Sequence, residues 1–177
     1  LPLRSTHGVV LGIQCRIVAA HDVSQPRGQA IGIYYGALDD GEMGSFRHSI
    51  DFIESDGVKQ VLISDARTVE LDWSRWHTYE VRIHPATPHC ASFVIQDAQG
   101  KTVVELDDLP TADIRRYPYA DAGFGDGHSL AHETVWDVAT VRIDQPAVSA
   151  GEVRRMQRVG PEPPEVVAVD SSSQFFV

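Results

Sequence analysis

Leu71-Asp72-Trp73-Ser74-Arg75-Trp76-His77-Thr78-Tyr79-Glu80-Val81-Arg82-Ile83 reads as an aromatic turn that opens a strand. From His77 the side chains alternate, with His77, Tyr79, Val81 and Ile83 on one face and Thr78, Glu80, Arg82 and His84 on the other. A half-buried antiparallel strand requires this pattern, because one pleat face meets a core and the other meets water. The same period of two recurs on both sides of this stretch. Residues 9–19 form a long alternating run, and in 29–37 Ile31, Ile33 and Tyr35 share a face opposite Gly32, Tyr34 and Gly36. Residues 39–42 make an acidic hairpin connection, after which 45–53 pairs back, and Asp56-Gly57 turns the chain into 58–64. Short strands at 68–71 and 76–84 follow. A further hairpin, 91–96 with 102–106, closes over Ala98-Gln99-Gly100. Residues 109–119, punctuated by Pro110 and Pro118, are expected to wander as an irregular crossover. Residues 123–127 are a glycine-rich segment before a last core strand at 134–143. Sustained helical periodicity is lacking, although 148–158 fits a short helix or an edge strand. About ten short strands with long-range pairing predict an all-β, two-sheet antiparallel jelly-roll sandwich.

Composition narrows the function classes. With 177 residues, 42% of them apolar, the chain can bury one sizeable core, so residues 1–145 are expected to form one sandwich. Residues 146–177, rich in Pro and Ser, read as a C-terminal strand or linker arm. A formal charge of −10 argues against a nucleic acid partner and against an anionic membrane surface. No apolar run reaches the roughly 18 residues of a membrane-spanning helix. The chain opens on Leu1 with no signal segment, which suggests a mature or excised fragment. Thirteen Arg stand against two Lys, a bias that a GC-rich bacterial genome would produce. Asn is absent, so N-glycosylation is excluded. Cys15 shares the apolar face of Leu11, Ile13 and Ile17 and reads as a buried small hydrophobe; a bridge to Cys90 stays open.

Taken in order, the segment at 71–83, the hairpin Gly100-Lys101-Thr102-Val103, Phe124-Gly125-Asp126-Gly127 and Trp136-Asp137 resemble the concanavalin A-like lectin/glucanase superfamily, including its laminin G-like members. In that superfamily a W-H-x-Y-x-V strand precedes F-G-D-G and a closing W-D strand, a match covering roughly residues 8–143. The resemblance implies a jelly roll that holds carbohydrate, commonly in secreted or periplasmic proteins. It also implies, in glucanase-like members, an aspartate near the start of the closing strand that binds a structural calcium. Asp137 is the residue nearest that place, two positions before the family position, which falls on Ala139. Solvation or an Arg142 partner is the alternative for Asp137.

The catalytic carboxylate pattern of the glucanase branch, E-x-D-x-x-E on one strand, is missing. The weak candidates are Glu54 and Asp56, with Asp51 further off, and the Asp56-Gly57 pair is better explained by hairpin geometry. Glu70 and Asp72 share the same spacing at a strand end. Lyase chemistry would need a basic cluster and a Tyr/His pair. Arg47, His48, Arg75, His77, Tyr117 and Tyr119 are at hand but fall in no lyase motif of this fold, and His77 reads as a hydrogen-bonded core histidine. His128 and His132 would share a face only on a helix, so that stretch reads as a loop.

Sugar binding needs an aromatic platform flanked by groups that bond hydroxyls. By strand phase Tyr34, Arg47 and Asp51 point away from the apolar face. Trp73 sits in a turn where exposure is expected, and the face taken by Trp136 is open. These five are the expected carbohydrate-binding residues, with packing as the alternative for each aromatic. The leading expectation is a non-catalytic carbohydrate-binding or accessory module, part of a larger extracellular glycan-active protein. A divergent glycoside hydrolase or polysaccharide lyase and a protein-interaction module that oligomerises are the alternatives.

Overall fold

The computed structural model describes residues 7–20, 29–39, 42–85, 87, 89–111, 114–115, 121–126 and 134–146. Alternating apolar residues can be satisfied only by giving each strand one inward face, and eleven strands do so in two layers. They are β1 (Val9–Ala20), β2 (Gln29–Asp39), β3 (Glu42–Ser55), β4 (Val58–Ile63), β5 (Arg67–Glu70), β6 (His77–Ile83), β7 (Cys90–Asp97), β8 (Thr102–Pro110), β9 (Ile114–Arg115), β10 (Asp121–Asp126) and β11 (Thr134–Asp144). One sheet runs β11-β1-β6-β7-β8. The other runs β10-β2-β3-β4-β5, with β9 added to the far end of β3. Every pairing is antiparallel, and no helix occurs among the described residues. The chain is therefore an all-β, jelly-roll-like sandwich.

The inward faces are those the alternation requires. Leu11, Ile13, Cys15 and Ile17 of β1 and Tyr79, Val81 and Ile83 of β6 meet Ile31, Ile33 and Tyr35 of β2 and Ile50 and Phe52 of β3. Phe52 is the staple between layers. Its ring meets Tyr79 edge-on at 5.2 Å and Trp136 at 5.3 Å, both from the opposite sheet. Such edge-to-face pairs add about 0.5–1.5 kcal/mol each beyond the area they bury.

The chain crosses from the six-stranded to the five-stranded sheet through residues 71–76, which lock the two together. Leu71 N donates to Lys59 O at 3.0 Å, and Ile17 N donates to Trp73 O at 3.0 Å. Trp73 Nε1 donates to Ile53 O at 3.2 Å, and the Lys59 ammonium lies 4.9 Å from its ring centroid. The expectation of an exposed Trp73 is corrected here: the residue is 3% exposed, because a crossover between layers must close the end of the core it passes.

Two stretches of the sequence reading change. The glycine-rich segment read at 123–127 belongs, as far as Asp126, to β10 at the edge of the sheet, where Gly123 lies opposite Gly32 and Gly125 opposite Ala30. Its glycines give little strand propensity; pairing with β2 supplies what propensity does not. The irregular crossover expected at 109–119 begins as strand, since β8 reaches Pro110 past a register shift near Asp108, whose φ is 51°. Residues 147–177, and with them the proposed arm, lie outside the described residues.

Cys15 and Cys90 are free thiols. Cys15 is level with His77, whereas Cys90 adjoins Ala91, which is paired with Ile83 at the other end of β6. Six strand residues separate the two levels, about 20 Å at the rise of a strand, well beyond disulfide reach. Burial pushes the Cys15 thiol up to about 12.

Three inward residues, Gln29, His48 and His77, break the apolar pattern. Gln29 is fully buried, and neither amide atom has a hydrogen-bond partner among the described residues. Orphaning a buried amide costs about 1–3 kcal/mol. Gln29→Leu is therefore expected to stabilise the fold by about that amount, measured by urea unfolding at unchanged m-value; a destabilised variant would mean that the amide is satisfied in solution.

Candidate ligand-binding face

Antiparallel register decides which side chains share the outward face of the six-stranded sheet. Tyr34 lies opposite Arg47, Gly32 opposite Ser49 and Ala30 opposite Asp51; beyond β3, Leu62 lies opposite Asp51 and Gln60 opposite Ile53. Arg47, Ser49 and Asp51 thus point the same way at successive steps along β3. Arg47 Nη2 donates to Asp51 Oδ1 at 2.8 Å, and Ser49 Oγ donates to Asp51 Oδ2 at 2.7 Å. Both carboxylate oxygens are thereby engaged, so Asp51 holds the guanidinium in place. Burial works to lower the affinity of Arg47 for its proton. The Asp51 charge and hydrogen bond override it and, with smaller contributions from Tyr34 and Asp65, raise it.

This face is recessed. Although they point away from the core, the Arg47 and Asp51 side chains are 7% and 0% exposed, whereas the outward Arg16 and Arg142 of the other sheet are 40% and 57% exposed. Half-buried Tyr34 and Leu62 stand beside this floor. At Gly32 an added Cβ would meet His48 O at 3.6 Å and Ser49 Cβ at 3.8 Å, ordinary contacts. The arrangement sets a fixed guanidinium beside an aromatic ring. Asp51, the carboxylate at its centre, is engaged at both oxygens.

The outward face of the five-stranded sheet is built differently. Arg16 binds Asp137, Arg82 binds Glu80, and Arg142 reaches Glu80 at 2.7 Å and Asp144 at 3.0 Å. Arg142 reaches Glu80 across Gly12, which lies opposite both residues in register. The Arg16 guanidinium also lies 5.3 Å from the Trp76 ring centroid. At one end of this face two open hollows of about 300 and 440 Å³ share Val10, Arg82 and Pro146.

Among the expected site residues, the structure brings together Tyr34, Arg47 and Asp51 and leaves the others apart. Trp73 closes the end of the core. Trp136 faces inward against Phe52 and Phe124, with its Nε1 donating to Thr134 Oγ1 at 2.7 Å. Asp137 accepts from Arg16 Nε at 2.8 Å and Nη2 at 2.7 Å, in place of the Arg142 partner weighed above. Among the described residues no group of three or more His, Cys, Asp or Glu side chains is placed to hold a metal. Glu54 sits opposite Lys59, and Asp56 and Gly57 take φ values of 52° and 77° in the β3–β4 hairpin, the left-handed geometry such a turn needs. His77 is buried with Nδ1 3.0 Å from Arg75 O, the core histidine expected. Tyr117, Tyr119, His128 and His132 lie outside the described residues. Ser49 escaped the sequence reading. The polar run of period two at Arg47, Ser49 and Asp51, inside an otherwise buried strand, was the available signal for Ser49.

No family model matches the chain, and no curated protein matches it. Among solved structures it is similar to the crystal structure of the botulinum neurotoxin serotype G binding domain, at 9% identity and a TM-score of 0.34. The match covers 88% of this chain and 37% of that one, so the chain spans little more than a third of its length.

Two expectations follow from the geometry. Removing one partner of the buried pair, as in Arg47→Met or Asp51→Leu, should cost about 3–5 kcal/mol, and the double variant should recover most of it. Chemical denaturation of the four proteins measures this cycle. In the crossover turn, hydrogen bonds from Ser74 and the Lys59 charge hold the Asp72 carboxyl below its ordinary range. Its stabilisation is present above the ordinary carboxylate range and is lost as pH falls through the lowered folded value. Asp72→Asn should therefore cost no more than about 1 kcal/mol at neutral pH, the side chain being half exposed, and nothing in strong acid; thermal melts across pH test this.

Proposed function

We propose that this chain is a non-catalytic carbohydrate-binding module of concanavalin A-like kind, and that its ligand lies along the recessed face of the six-stranded sheet. The observation that carries the reading is the clamped Arg47 beside Tyr34 on the outward face of the sheet. A pyranose presents an apolar face and a rim of hydroxyls. Tyr34 supplies an aromatic surface for the first and the guanidinium edge a donor for the second, while Asp51 and Ser49 act as positioning residues. A guanidinium already fixed loses little freedom on binding, which favours affinity in a shallow site. The motif order from 71–83 to Trp136-Asp137 adds support from family resemblance, and with it a place outside the cell beside a glycan-active partner domain.

A glycan array probed with the purified chain tests the reading. Saturable binding is expected, with Tyr34→Ala weakening it at least about tenfold, equivalent to about 1.4 kcal/mol. Trp76→Ala, on the outward face of the other sheet, should leave it unchanged. A blank array, or loss through Trp76 alone, would sink the proposal.

A further inference from the structure

We infer that β11 is an interaction edge for a second copy of this chain, the two β11 strands pairing antiparallel about a two-fold axis so that their five-stranded sheets join into one.

A sheet edge presents unpaired N–H and C=O groups, and folds that stay single blunt such edges. The other edges of this sandwich are blunted. Those at β5 and β9 are short, at 4 and 2 residues. The 6 residues of β10 carry Asp121 and Asp126 at the ends and two glycines between them. Along β8 stand Glu105, Asp107 and Asp108; the strand shifts register twice against β7, takes a φ of 51° at Asp108 and ends on Pro110. By contrast β11 runs for 11 residues, and no strand lies beyond it among the described residues. Its middle, Val138-Ala139-Thr140-Val141, is uncharged and exposed. Val138 and Val141 belong to the inward face, opposite Cys15 and Ile13, yet are 38% and 41% exposed, an apolar margin of the core left open in one copy.

The register of the pairing follows from a bulge. Gln14 lies opposite Thr140 and Cys15 opposite Val138, so Ala139 is an extra residue. Asp137 and Arg142 therefore share the outward face despite their odd spacing, as Val138 and Val141 share the inward one. A two-fold axis between Ala139 and Thr140 sets the bulges of both copies level, and each residue then meets one of its own face. Val138 meets Val141 of the other copy, Asp137 meets Arg142, and Trp136 meets Ile143. A shift by one residue sets inward side chains against outward ones. A shift by two sets Asp137 against Thr140 or Asp144 and loses the opposite charge. The side chains of Asp137 and Arg142 are 41% and 57% exposed. Arg16 takes Asp137 Oδ2 with both Nε and Nη2, so Oδ1 can accept from Arg142 of the other copy. Opposite charges facing each other across antiparallel strands favour their pairing. The axis is perpendicular to the joined sheet, which puts both six-stranded sheets on one side of it.

Sedimentation equilibrium of the full chain between about 5 and 500 µM tests this edge as a small, concentration-dependent interface. A rise from 19.5 kDa toward twice that mass is expected. Val141→Lys, which places a charge on the edge, should hold the chain at the single mass, whereas Val103→Lys on β8 should leave the rise unchanged. Should Val141→Lys fold poorly, cross-linking reads the register directly. Asp137→Cys and Arg142→Cys chains, mixed and oxidised with copper phenanthroline, should give a disulfide-linked dimer, the second Asp137–Arg142 pair staying intact. Neither variant alone should do so, Cys15 and Cys90 being common to both. A single mass at every concentration, a dimer that survives Val141→Lys, or a mixture that links no better than either variant alone would overturn the inference.

Discussion

The packing of Phe52 against Tyr79 and Trp136 is the contact on which the rest of the sandwich depends. A β-sheet has no means of holding a second sheet except through side chains that fill the roughly 10 Å between them. Here one ring from β3 receives rings from β6 and β11, so the middle strand of one layer is fixed to two strands of the other. The crossover at residues 71–76 then closes the end of that layer pair, with Trp73 bonded to Ile53 on β3 and to Ile17 on β1. Register between the sheets is set at two places, and slippage of either sheet would have to break both.

The same strand serves the outward face. Phe52 and Ile50 point inward while Arg47, Ser49 and Asp51 point out, so the polar clamp sits on the strand that the aromatic staple holds most firmly. Rigidity of the guanidinium is thus inherited from the core. A buried ion pair adds little net stability over an apolar substitute. Its value in this position is directional, since it fixes a donor beside Tyr34 in an orientation that a solvent-exposed arginine would not keep.

Much of this was legible in the alternation. The inward sets of β1, β2 and β6 follow directly from period two, and the turn at Asp56-Gly57 from the need for positive φ. What was not legible depends on partners distant in sequence. The strand β10 exists because β2 offers it an edge, and its own glycines do not announce it. Trp73 looked like a surface residue because nothing in a single turn shows which layers it bridges. The link between Arg47 and Asp51 was hidden for a different reason. A spacing of four residues brings side chains together on a helix, whereas on a strand it spans about 13 Å. The contact forms because the long arginine runs along the strand to Asp51, whose second oxygen takes the bond from Ser49 between them.

The separation of Cys15 and Cys90 to opposite ends of the five-stranded sheet has a consequence for where this sandwich can work. A thiol pushed up to about 12 carries almost no thiolate, and its neighbour in sequence count is a sheet's length away. Among the described residues cohesion comes from packed side chains and hydrogen-bonded ladders, which reductants do not touch. The fold is indifferent to redox potential: it needs no oxidase or isomerase to mature, and passage between a reducing and an oxidising compartment leaves its architecture unchanged.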